Sequence, residues 1–591
     1  MKSKLILGFL VMALIAVPLF AAACGEEGGG GVTPGDWGEP EYGGTLMYRA
    51  QFIDVICNPL DPRSVQYGAW IESLFTDDMT VDRDEFGFGA NFFPLKYRAG
   101  QLAESWSMPD DTTIVVNLRQ NVTWQDTPPT NGRPFTSADV VFTYDKVLGV
   151  GEFAGMDPDP FLSAIVPSVT ECVATGDYTV EFHLNSAGPF KAYEIVNPWM
   201  SIAIAPREFY DLTEEEQADW HNAAGTGAFM LTDYVPGTSM TCAKNPDYYG
   251  VDARYDDNPL PYTDAFKVVV IPDMSSALSA LRTGQIDLLT DARVYPTLQE
   301  TLMLAETDPQ IVHFTQNVMG PGIFYHWNQD TGTIDPPFDD INIRKAMQMA
   351  LDLDLIAETY YQGTVDPTPC AQMSPLAGDW SPTFDEWPSE LQDEYTYNLE
   401  EAQALMADAG YGVSNPLECE IFANAEDYPE VLLIVQDMLD EIGVTMNINA
   451  VAMMEARPVI MEGDYEILWV SVTGNTNSSP ADCIRNWYSG KFERIGQGGG
   501  VIDPVYDEFV AEFDAATTEA ACKEVFQEAE LYWLEQHWAA ITFPSWSHQF
   551  HQPWIEGYLG ERVWSTMTWT YIASMWIDED IMVEYLGEVR D

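Results

Sequence analysis

The amino-acid sequence predicts an α/β protein in which short strands alternate with amphipathic helices. TIVVNLRQNVTW (residues 113–124) and YTVEFHL (178–184) alternate apolar and polar side chains, which is typical of half-buried strands. SSALSALRTGQIDLL (275–289) has apolar residues at helical spacing, then a glycine and a second apolar run. Because a helix that leads into a strand is a building unit of layered α/β folds, we expect several sheets covered by helices.

The first of these helices has a recognisable stop. In the 275–289 stretch we expect Gly284 to end the helix and residues 286–289 to form a buried strand. The apolar face of this helix consists of Ala277, Leu278, Ala280 and Leu281. NLEEAQALMADAGY (398–411) follows the same pattern, since Asn398 can cap a helix that Gly410 ends. Its apolar stripe consists of Ala402, Leu405, Met406 and Ala409.

A longer stretch, DDINIRKAMQMALDLDLIAETYYQG (339–363), predicts two consecutive helices. Asp352 is placed to cap the second helix, and Gly363 is placed to end it. Stretches such as DPDP (157–160) and GQGGG (496–500) are too short to act as linkers between independent modules. A chain of 591 residues exceeds one ordinary core, so we expect two or three domains that the chain crosses between several times.

The N-terminus has the layout of a secretory signal peptide. Lys2 and Lys4 precede an apolar run over residues 5–20, and three alanines then lead into Cys24. This junction resembles the lipobox of bacterial lipoproteins, although Ala21 stands where lipoboxes usually carry leucine. The resemblance implies that residues 1–23 are removed and Cys24 is acylated, with residues 24–41 as a flexible tether. The alternative is an uncleaved membrane anchor, because the apolar run approaches the roughly 20 residues that span a bilayer.

The chain is extremely acidic. It carries 26 Lys and Arg against 93 Asp and Glu, a formal net charge of −67. Removal of residues 1–23 takes two lysines and no acid, so the remainder has 24 minus 93, or −69. Nucleic acid is excluded as a partner, because phosphate binding needs clustered Lys and Arg. We interpret the charge as an adaptation for solubility.

Seven cysteines remain when Cys24 is set aside, and their wide spacing contains no C-x-x-C pair. This excludes a zinc ribbon and leaves room for one to three disulfides in an oxidising compartment, with the connectivity open. They are Cys57, Cys172, Cys242, Cys370, Cys419, Cys483 and Cys522.

Sequence motifs of enzymes are missing. There is no P-loop, G-x-S-x-G, H-E-x-x-H or EF-hand loop. HQFH places His548 and His551 at a spacing that metal ligands can have, but the flanking aromatic residues favour a packed strand edge. We expect no catalytic residue, no metal and no cofactor. GTGAF (225–229) predicts a tight turn with unusual dihedral angles, and NPDYYG (245–250) a turn with packed aromatic rings.

A series of motifs points to one family. In chain order they are YGGTL (42–46), LAESW (102–106), LRQNVTWQD (118–126), RPFTSADVVFTYDKVL (133–148), GTGAFMLTDYVPGTSMTCAKNPDYYG (225–250), LRTGQIDLL (281–289), FDDINIRKAMQMALDLDLIAETYYQG (338–363) and EEAQALMADAGY (400–411). Their order and spacing resemble the family 5 extracellular solute-binding proteins of ABC importers, the peptide/nickel class. The resemblance covers most of the chain, from about residue 42 to the late 500s.

The resemblance implies a two-lobed periplasmic-binding-protein-like fold with three sub-domains and a ligand cleft between the lobes. Domain I would comprise residues 42–68, 196–322 and 540–591, domain II would be an insertion of residues 69–195, and domain III would span residues 323–539. Such a protein captures a solute, an oligopeptide or another polar organic molecule, by hinge closure and delivers it to the permease of an ABC transporter. We expect a monomer held at the outer face of the cell membrane or in the periplasm. Two alternatives stay open: a secreted hydrolase with an unrecognised active site, and a sensor that uses the same fold for signalling.

The ligand site is expected in domain III. Peptide binders of this family commonly place an aspartate shortly after a tryptophan there, where it pairs with the amino terminus of the peptide. The corresponding segment here is ILWVSVTGNTNSSPADCIRNWYSGK (467–491), in which no acid lies between Trp469 and Asp482. We therefore expect a ligand held without a carboxylate anchor, as a neutral polar solute, a sugar, or a peptide bound through its backbone. The alternative is a surface loop with Trp469 in the core.

The predicted cleft has apolar walls and neutral polar contacts. FYHWN (324–328) joins the 467–491 segment in this prediction, because the family layout puts it near the crossing into domain III. The apolar walls are Tyr325, Trp327, Trp469 and Trp487, and the polar contacts are Thr473, Asn475 and Asn477.

Overall fold

The structure is a computed structural model of the chain. It describes residues 38–590 except for 62–68, 84, 89–93, 197–201, 291–295, 319–321, 327–331, 374–379, 425–428, 453–454, 456–458, 460–464, 471–478, 486, 488–501, 542–544 and 562–566. Within these residues the chain forms three main sheets, of seven, four and five strands, and three two-stranded sheets. The α/β class predicted from the sequence is confirmed.

A mixed seven-stranded sheet is assembled from distant parts of the chain. Its central strand, Thr45–Ala50, runs parallel to the neighbouring strands on both sides. Leu46 on this strand and Phe266 on its neighbour are fully buried, as expected where one face of a sheet meets a core. The order across the sheet is Val312–Val318, Ser545–His551, Leu288–Leu289, Thr45–Ala50, Ala265–Val270, Ser239–Lys244 and Phe229–Val235. The helices whose side chains share its cores are Met274–Arg282, Leu298–Thr307, Met567–Ala573 and Glu579–Leu586.

A four-stranded antiparallel sheet forms a separate core. Helix Ser137–Leu148 covers it and begins with a capping box between Thr136 and Asp139. The Tyr144 ring lies 4.7 Å from the Phe182 ring, which fixes the helix against the sheet. The order across the sheet is Ala103–Asp110, Thr113–Leu118, Thr179–Leu184 and Val169–Gly176. The short helices Leu162–Ile165 and Tyr193–Val196 contribute to the same core.

A five-stranded mixed sheet carries the third core. Its order is Val444–Val451, Leu417–Asn424, Ile467–Val470, Gly322–Tyr325 and Ala539–Ile541. The helices that pack around it are Ile341–Met349, Leu353–Thr359, Ser389–Glu394, Leu399–Asp408, Pro429–Asp440, Pro480–Arg485, Pro504–Ala515 and Glu519–Glu535.

The remaining elements are short. Two-stranded sheets join Phe75–Asp77 to Arg98–Gly100, Val251–Asp252 to Asn258–Pro259, and Ile555–Glu556 to Trp576–Ile577. Further helical turns are Leu95–Tyr97, Gly151–Phe153, Arg207–Tyr210, Glu214–Ala218, Trp220–Asn222 and Phe384–Glu386. Among the described residues, no helix is both long enough and apolar enough to span a membrane.

Two adjacent connections, residues 319–321 and 542–544, join the seven-stranded sheet to the five-stranded sheet. The strands on either side of these connections pair with each other in both sheets. They are antiparallel neighbours within the seven-stranded sheet, and Gly322 pairs with Ile541 in the five-stranded sheet. The molecule is therefore divided into two lobes, and the chain crosses between them twice, from Val318 to Gly322 and from Ile541 to Ser545, which together form a double connection.

The helices predicted from the sequence are confirmed together with their caps. The Asn398 side chain accepts a hydrogen bond at the start of Leu399–Asp408, and the Asp352 side chain does so at the start of Leu353–Thr359. The glycines predicted to end helices all have positive φ: Gly284 at 66°, Gly363 at 75° and Gly410 at 90°. The predicted strands are also present, as Thr113–Leu118, Thr179–Leu184 and the shorter Leu288–Leu289.

The prediction of unusual dihedral angles at GTGAF is wrong, and the glycines serve a different purpose. Neither Gly225 nor Gly227 has positive φ. A Cβ atom on Gly225 would lie 1.6 Å from the carbonyl oxygen of Trp70, and one on Gly227 would lie 2.7 Å from that of Ala69. These two positions are glycine because another stretch of backbone passes directly against them.

The tyrosines of NPDYYG contact Glu72, two residues after Trp70. The hydroxyl groups of Tyr248 and Tyr249 each donate to the Glu72 carboxylate at 3.1 Å. Glu72 is buried, and this burial raises the pKa of its carboxyl group to about 7, against the opposing effect of the hydrogen bonds. Both motifs therefore fix the residues around Trp70, where the chain runs from the seven-stranded sheet towards the four-stranded sheet.

All seven cysteines after Cys24 are buried, and no disulfide joins any two of them. The disulfides for which the sequence left room are not formed. Burial raises the pKa of the Cys370 and Cys419 thiols to about 12, so both are protonated at neutral pH. The cysteines act as small apolar side chains in the three cores.

Glu530 is a buried carboxyl group on the longest helix of the five-stranded lobe. Its Oε1 accepts a hydrogen bond from the Met373 main-chain N–H at 3.1 Å. Burial raises the pKa of Glu530 to about 8, while the hydrogen bond from the Met373 N–H opposes the rise. The group is therefore protonated in the folded protein at neutral pH.

We expect Gly225→Ala to destabilise the fold by roughly 1–3 kcal/mol or more, because the added Cβ overlaps the Trp70 carbonyl group. Gly176→Ala is the matched control, since its Cβ would meet no atom closer than 3.8 Å. Urea unfolding of both variants measures the effect. Equal midpoints for the two variants would contradict the steric explanation.

We expect Glu530→Gln to remove a loss of stability that the wild-type protein shows as pH rises. The carboxyl group titrates near 4.5 when unfolded and at about 8 when folded, so the folded state holds the proton more tightly. The free energy of unfolding therefore falls between these pH values, by roughly 1.4 kcal/mol per pH unit for this group. Urea unfolding at pH 5.5 and 8 compares wild type, Glu530→Gln and the exposed control Glu528→Gln. A constant difference between Glu530→Gln and wild type at both pH values would refute the assignment.

Candidate ligand-binding cleft

The segment predicted to bind the ligand starts beside the double connection. Val470, the last residue before the 471–478 stretch, pairs with Gly322, the first described residue after the crossing. Gly322 also pairs with Ile541 on its other side. Strand Ile467–Val470 therefore ends beside the point where the chain crosses between the lobes, and ligands of two-lobed proteins are contacted between the lobes.

Tyr325 lies at the other end of the same pair of strands. It pairs with Ile467, three residues before Val470, and this separates the two ends by about 10 Å at the usual rise per residue. The Tyr325 hydroxyl donates to the Met347 sulfur at 3.8 Å, and its ring packs 5.4 Å from Phe338. Tyr325 is thus part of the core beneath helix Ile341–Met349.

The predicted aromatic walls do not share one face of the sheet. Trp469 pairs with Ile323, so its side chain points to the same face as that of Tyr325. Trp487 stacks against Trp538 at 5.5 Å and packs against Phe324, which points to the opposite face. The structure therefore brings Tyr325 and Trp469 to one side of the sheet and Trp487 to the other.

Both tryptophans are buried, at 2% and 3% exposure for Trp469 and Trp487. They belong to the core of the five-stranded lobe, in keeping with the alternative that Trp469 is a core residue. The Trp469 indole N–H is buried and has no hydrogen-bond partner among the residues that the structure describes. A contact between either ring and a ligand stays a prediction.

Several predicted residues lie outside the described residues: Trp327, Thr473, Asn475, Asn477 and the lipidation site Cys24. Asp482 is in helix Pro480–Arg485, which follows the 471–478 stretch. The helix places this acid beyond the segment in which family members carry their aspartate.

A side-chain contact that the sequence did not reveal joins His326 to Asp335. The His326 imidazole Nδ1 lies 2.8 Å from a carboxylate oxygen of Asp335, and the Asp335 N–H donates to the His326 carbonyl oxygen. The His326 ring also packs edge-on against Tyr465. Nothing in the sequence pattern indicates this pair, because it depends on the return of the chain nine residues later.

The histidines of HQFH lie on strand Ser545–His551, next to the double connection. Nδ1 of His548 is 3.1 Å from Nε2 of His313 on the paired strand, and both side chains are uncharged because burial lowers their pKa values, to about 3 for His548 and about 4 for His313. His551 contacts the Gln552 carbonyl oxygen through Nδ1. Among the described residues there is no group of three or more His, Cys, Asp or Glu that could hold a metal ion.

Comparison with known proteins agrees with this geometry. The family described as bacterial extracellular solute-binding proteins, family 5 Middle, matches residues 99–493. The periplasmic oligopeptide-binding protein OppA of Escherichia coli (strain K12) is 23% identical over 496 residues, which are 80% of this chain and 84% of OppA.

Solved structures are similar over nearly the whole chain. The periplasmic binding protein DppA from Helicobacter pylori, in complex with the peptide STSA, has a TM-score of 0.69 and 19% identity, and the match covers 91% of this chain and 98% of that one. AgaA of A. tumefaciens R10, in complex with agropinic acid, has a TM-score of 0.66 and 18% identity over 90% of this chain and 99% of its own. At these identities the likeness shows the fold, which is the two-lobed α/β fold of periplasmic binding proteins.

Proposed function

The chain belongs to the family 5 bacterial extracellular solute-binding proteins, which serve ABC importers, and from this we propose that it captures an oligopeptide or another polar organic molecule outside the cytoplasmic membrane and delivers it to a permease. The observation that carries the proposal is the double connection between two lobes, with residues 471–478 starting beside it. The binding chemistry of the relatives ranges from the peptide STSA to agropinic acid, so membership alone leaves the solute open.

Capture follows from bending at the double connection. An open form admits the solute, and the solute then contacts both lobes in the closed form. Because these contacts are made together only when the lobes meet, the ligand favours the closed population by its differential affinity. The permease distinguishes the loaded protein by this shape. Binding and release require no bond to be made or broken in the solute, and we assign no catalytic residue.

The division into domains supports this proposal. The strands of the seven-stranded sheet come from residues 45–50, 229–318 and 545–551, those of the four-stranded sheet from 103–184, and those of the five-stranded sheet from 322–541. These ranges are in keeping with domain I as 42–68, 196–322 and 540–591, domain II as 69–195 and domain III as 323–539. We propose that the protein acts as a monomer.

We propose that the ligand is held by neutral groups and not by a carboxylate that grips an ammonium group. No acid lies between Trp469 and Asp482, in a chain with 93 acids. Thr473, Asn475 and Asn477 offer hydroxyl and amide groups instead, and these both donate and accept hydrogen bonds.

Calorimetric titration tests the ligand class. We expect free and N-acetylated di- to pentapeptides to bind alike, with weak dependence on salt, because screening weakens charge pairs over about 8–10 Å far more than hydrogen bonds. Asn475→Ala should weaken binding by roughly 1–3 kcal/mol. The control is Asn447→Ala, an exposed residue on the edge strand of the same sheet. Oligosaccharides are titrated in parallel, and mass spectrometry of natively purified protein identifies retained solute. Tight binding that acetylation abolishes would overturn the neutral site and leave the transport function intact.

We propose that Cys24 is acylated and tethers the protein to the outer face of the membrane, with residues 1–23 removed. Intact mass spectrometry of membrane-extracted protein measures both events. We expect Cys24→Ser to give unprocessed or released protein, because the thiol is the acylation site. A Cys24→Ser protein that is processed and retained by the membrane like wild type would refute the anchor.

A further inference from the structure

The two lobes touch at a second place, away from the double connection. Phe190 lies between strand Thr179–Leu184 of the four-stranded sheet and helix Tyr193–Val196. Its ring stacks on Phe513 at 5.3 Å and meets Trp380 edge-on at 5.2 Å. Phe513 and Trp380 belong to the five-stranded lobe, and Phe190 is buried as a member of that lobe's core. One aromatic side chain therefore reaches from one lobe into the core of the other.

Tyr193 supports Phe190 from its own lobe. The two rings stack at 5.1 Å, and the Tyr193 hydroxyl accepts a hydrogen bond from the Leu95 N–H at 3.1 Å. Leu95 packs against the cores of both the four-stranded and the five-stranded sheets. Phe190 is thus held in position by its own lobe, so that a rigid aromatic group is presented to the partner surface.

Charged groups beside Phe190 complement each other across the same junction. Glu194 accepts hydrogen bonds from the N–H and the hydroxyl of Ser168, at 2.8 and 2.7 Å, and lies 3.6 Å from Lys191. Burial raises the pKa of Glu194, and the Lys191 and Arg485 cations oppose this rise. Arg485 belongs to the five-stranded lobe and pairs with Asp514, next to Phe513. The Arg485 cation of one lobe therefore favours the ionised form of Glu194 on the other, beside the aromatic contact.

We propose that this interlobe contact, Phe190 and Tyr193 with Trp380 and Phe513, is a latch that sets the open–closed equilibrium before any ligand binds. The five-stranded lobe is one continuous stretch of chain, residues 322–541, so a rotation of this lobe moves Phe513 and Trp380 together relative to Phe190. Opening exposes the Phe190 ring to water, and burying such a ring favours the closed form roughly tenfold or more.

The latch determines affinity without touching the ligand. Apparent affinity scales with the fraction of protein in the binding-competent form. A contact that offsets the cost of closure therefore slows release of every ligand to a similar degree, whereas a cleft residue discriminates between ligands. The proposal depends on the two-lobed fold and is independent of which solute is bound.

Small-angle scattering of the full-length soluble protein, freed of co-purified solute by unfolding and refolding, tests the latch. We expect Phe190→Ala and Phe513→Ala to raise the radius of gyration by shifting the closed-to-open ratio roughly tenfold towards open. The double variant should match Phe190→Ala, because Phe190→Ala already removes the contact with Phe513 as well as the contact with Trp380. The control is Phe161→Ala, because Phe161 is 41% exposed and lies in the region of the four-stranded sheet, away from the contact. Thermal unfolding verifies that each variant is folded.

Phe190→Leu and Phe513→Leu replace the alanine variants if these do not fold, since they keep most of the apolar volume and remove the stacking. An unchanged radius of gyration in folded variants would overturn the latch. Additive effects in the double variant would also contradict it, because two independent sites would then be involved. Neither result bears on whether the protein binds peptides, which the titrations decide separately.

Discussion

The main-chain pairing on either side of residues 319–321 and 542–544 is the constraint on which the molecule depends. Two stretches of chain that are antiparallel neighbours in both the seven-stranded and the five-stranded sheet cannot slide past each other without breaking ladders at both ends. Bending is the motion that leaves both ladders intact. The pairing of Val470 with Gly322 then places the end of strand Ile467–Val470 beside this crossing. Rotation about the same axis breaks or forms the Phe190 contact as the lobes move.

Local structure was predictable from the sequence where its causes are local. Asn398 and Asp352 cap helices that start within the next residue, and Gly284, Gly363 and Gly410 follow helices within a few residues. Causes that lie far away in the chain were not predictable. Gly225 is glycine because the Trp70 backbone, more than 150 residues earlier, passes against it, and a G-x-G pattern does not distinguish this close approach from a tight turn.

The candidate site shows the same division. The family pattern located the strand Ile467–Val470 and the segment after it, but period-two alternation does not tell which face of a five-stranded sheet a tryptophan occupies when helices cover both faces. The sequence therefore did not indicate that the side chains of Trp469, on a strand, and Trp487, after helix Pro480–Arg485, lie on opposite sides of the sheet. Phe190 gave no signal, because a phenylalanine in a loop is recognisable as a contact only when the partner lobe is present.

The net charge of the whole protein and the polar groups of the cleft act on a ligand in different ways. Several of the scarce cations are used inside the fold, where Arg83, Arg98 and Arg254 pair with the buried carboxylates of Glu561, Asp77 and Asp252. The surplus of 93 acids over 26 bases therefore lies largely at the surface, where it creates a field that attracts cations of every kind. Salt screens that field beyond about 8–10 Å, so it raises the local concentration of a cationic solute without selecting one from another. Selection of a free amino terminus needs a carboxylate within a few ångströms, and the segment between Trp469 and Asp482 carries none. The acidity of the surface thus gives no reason to expect an ammonium group in the cleft.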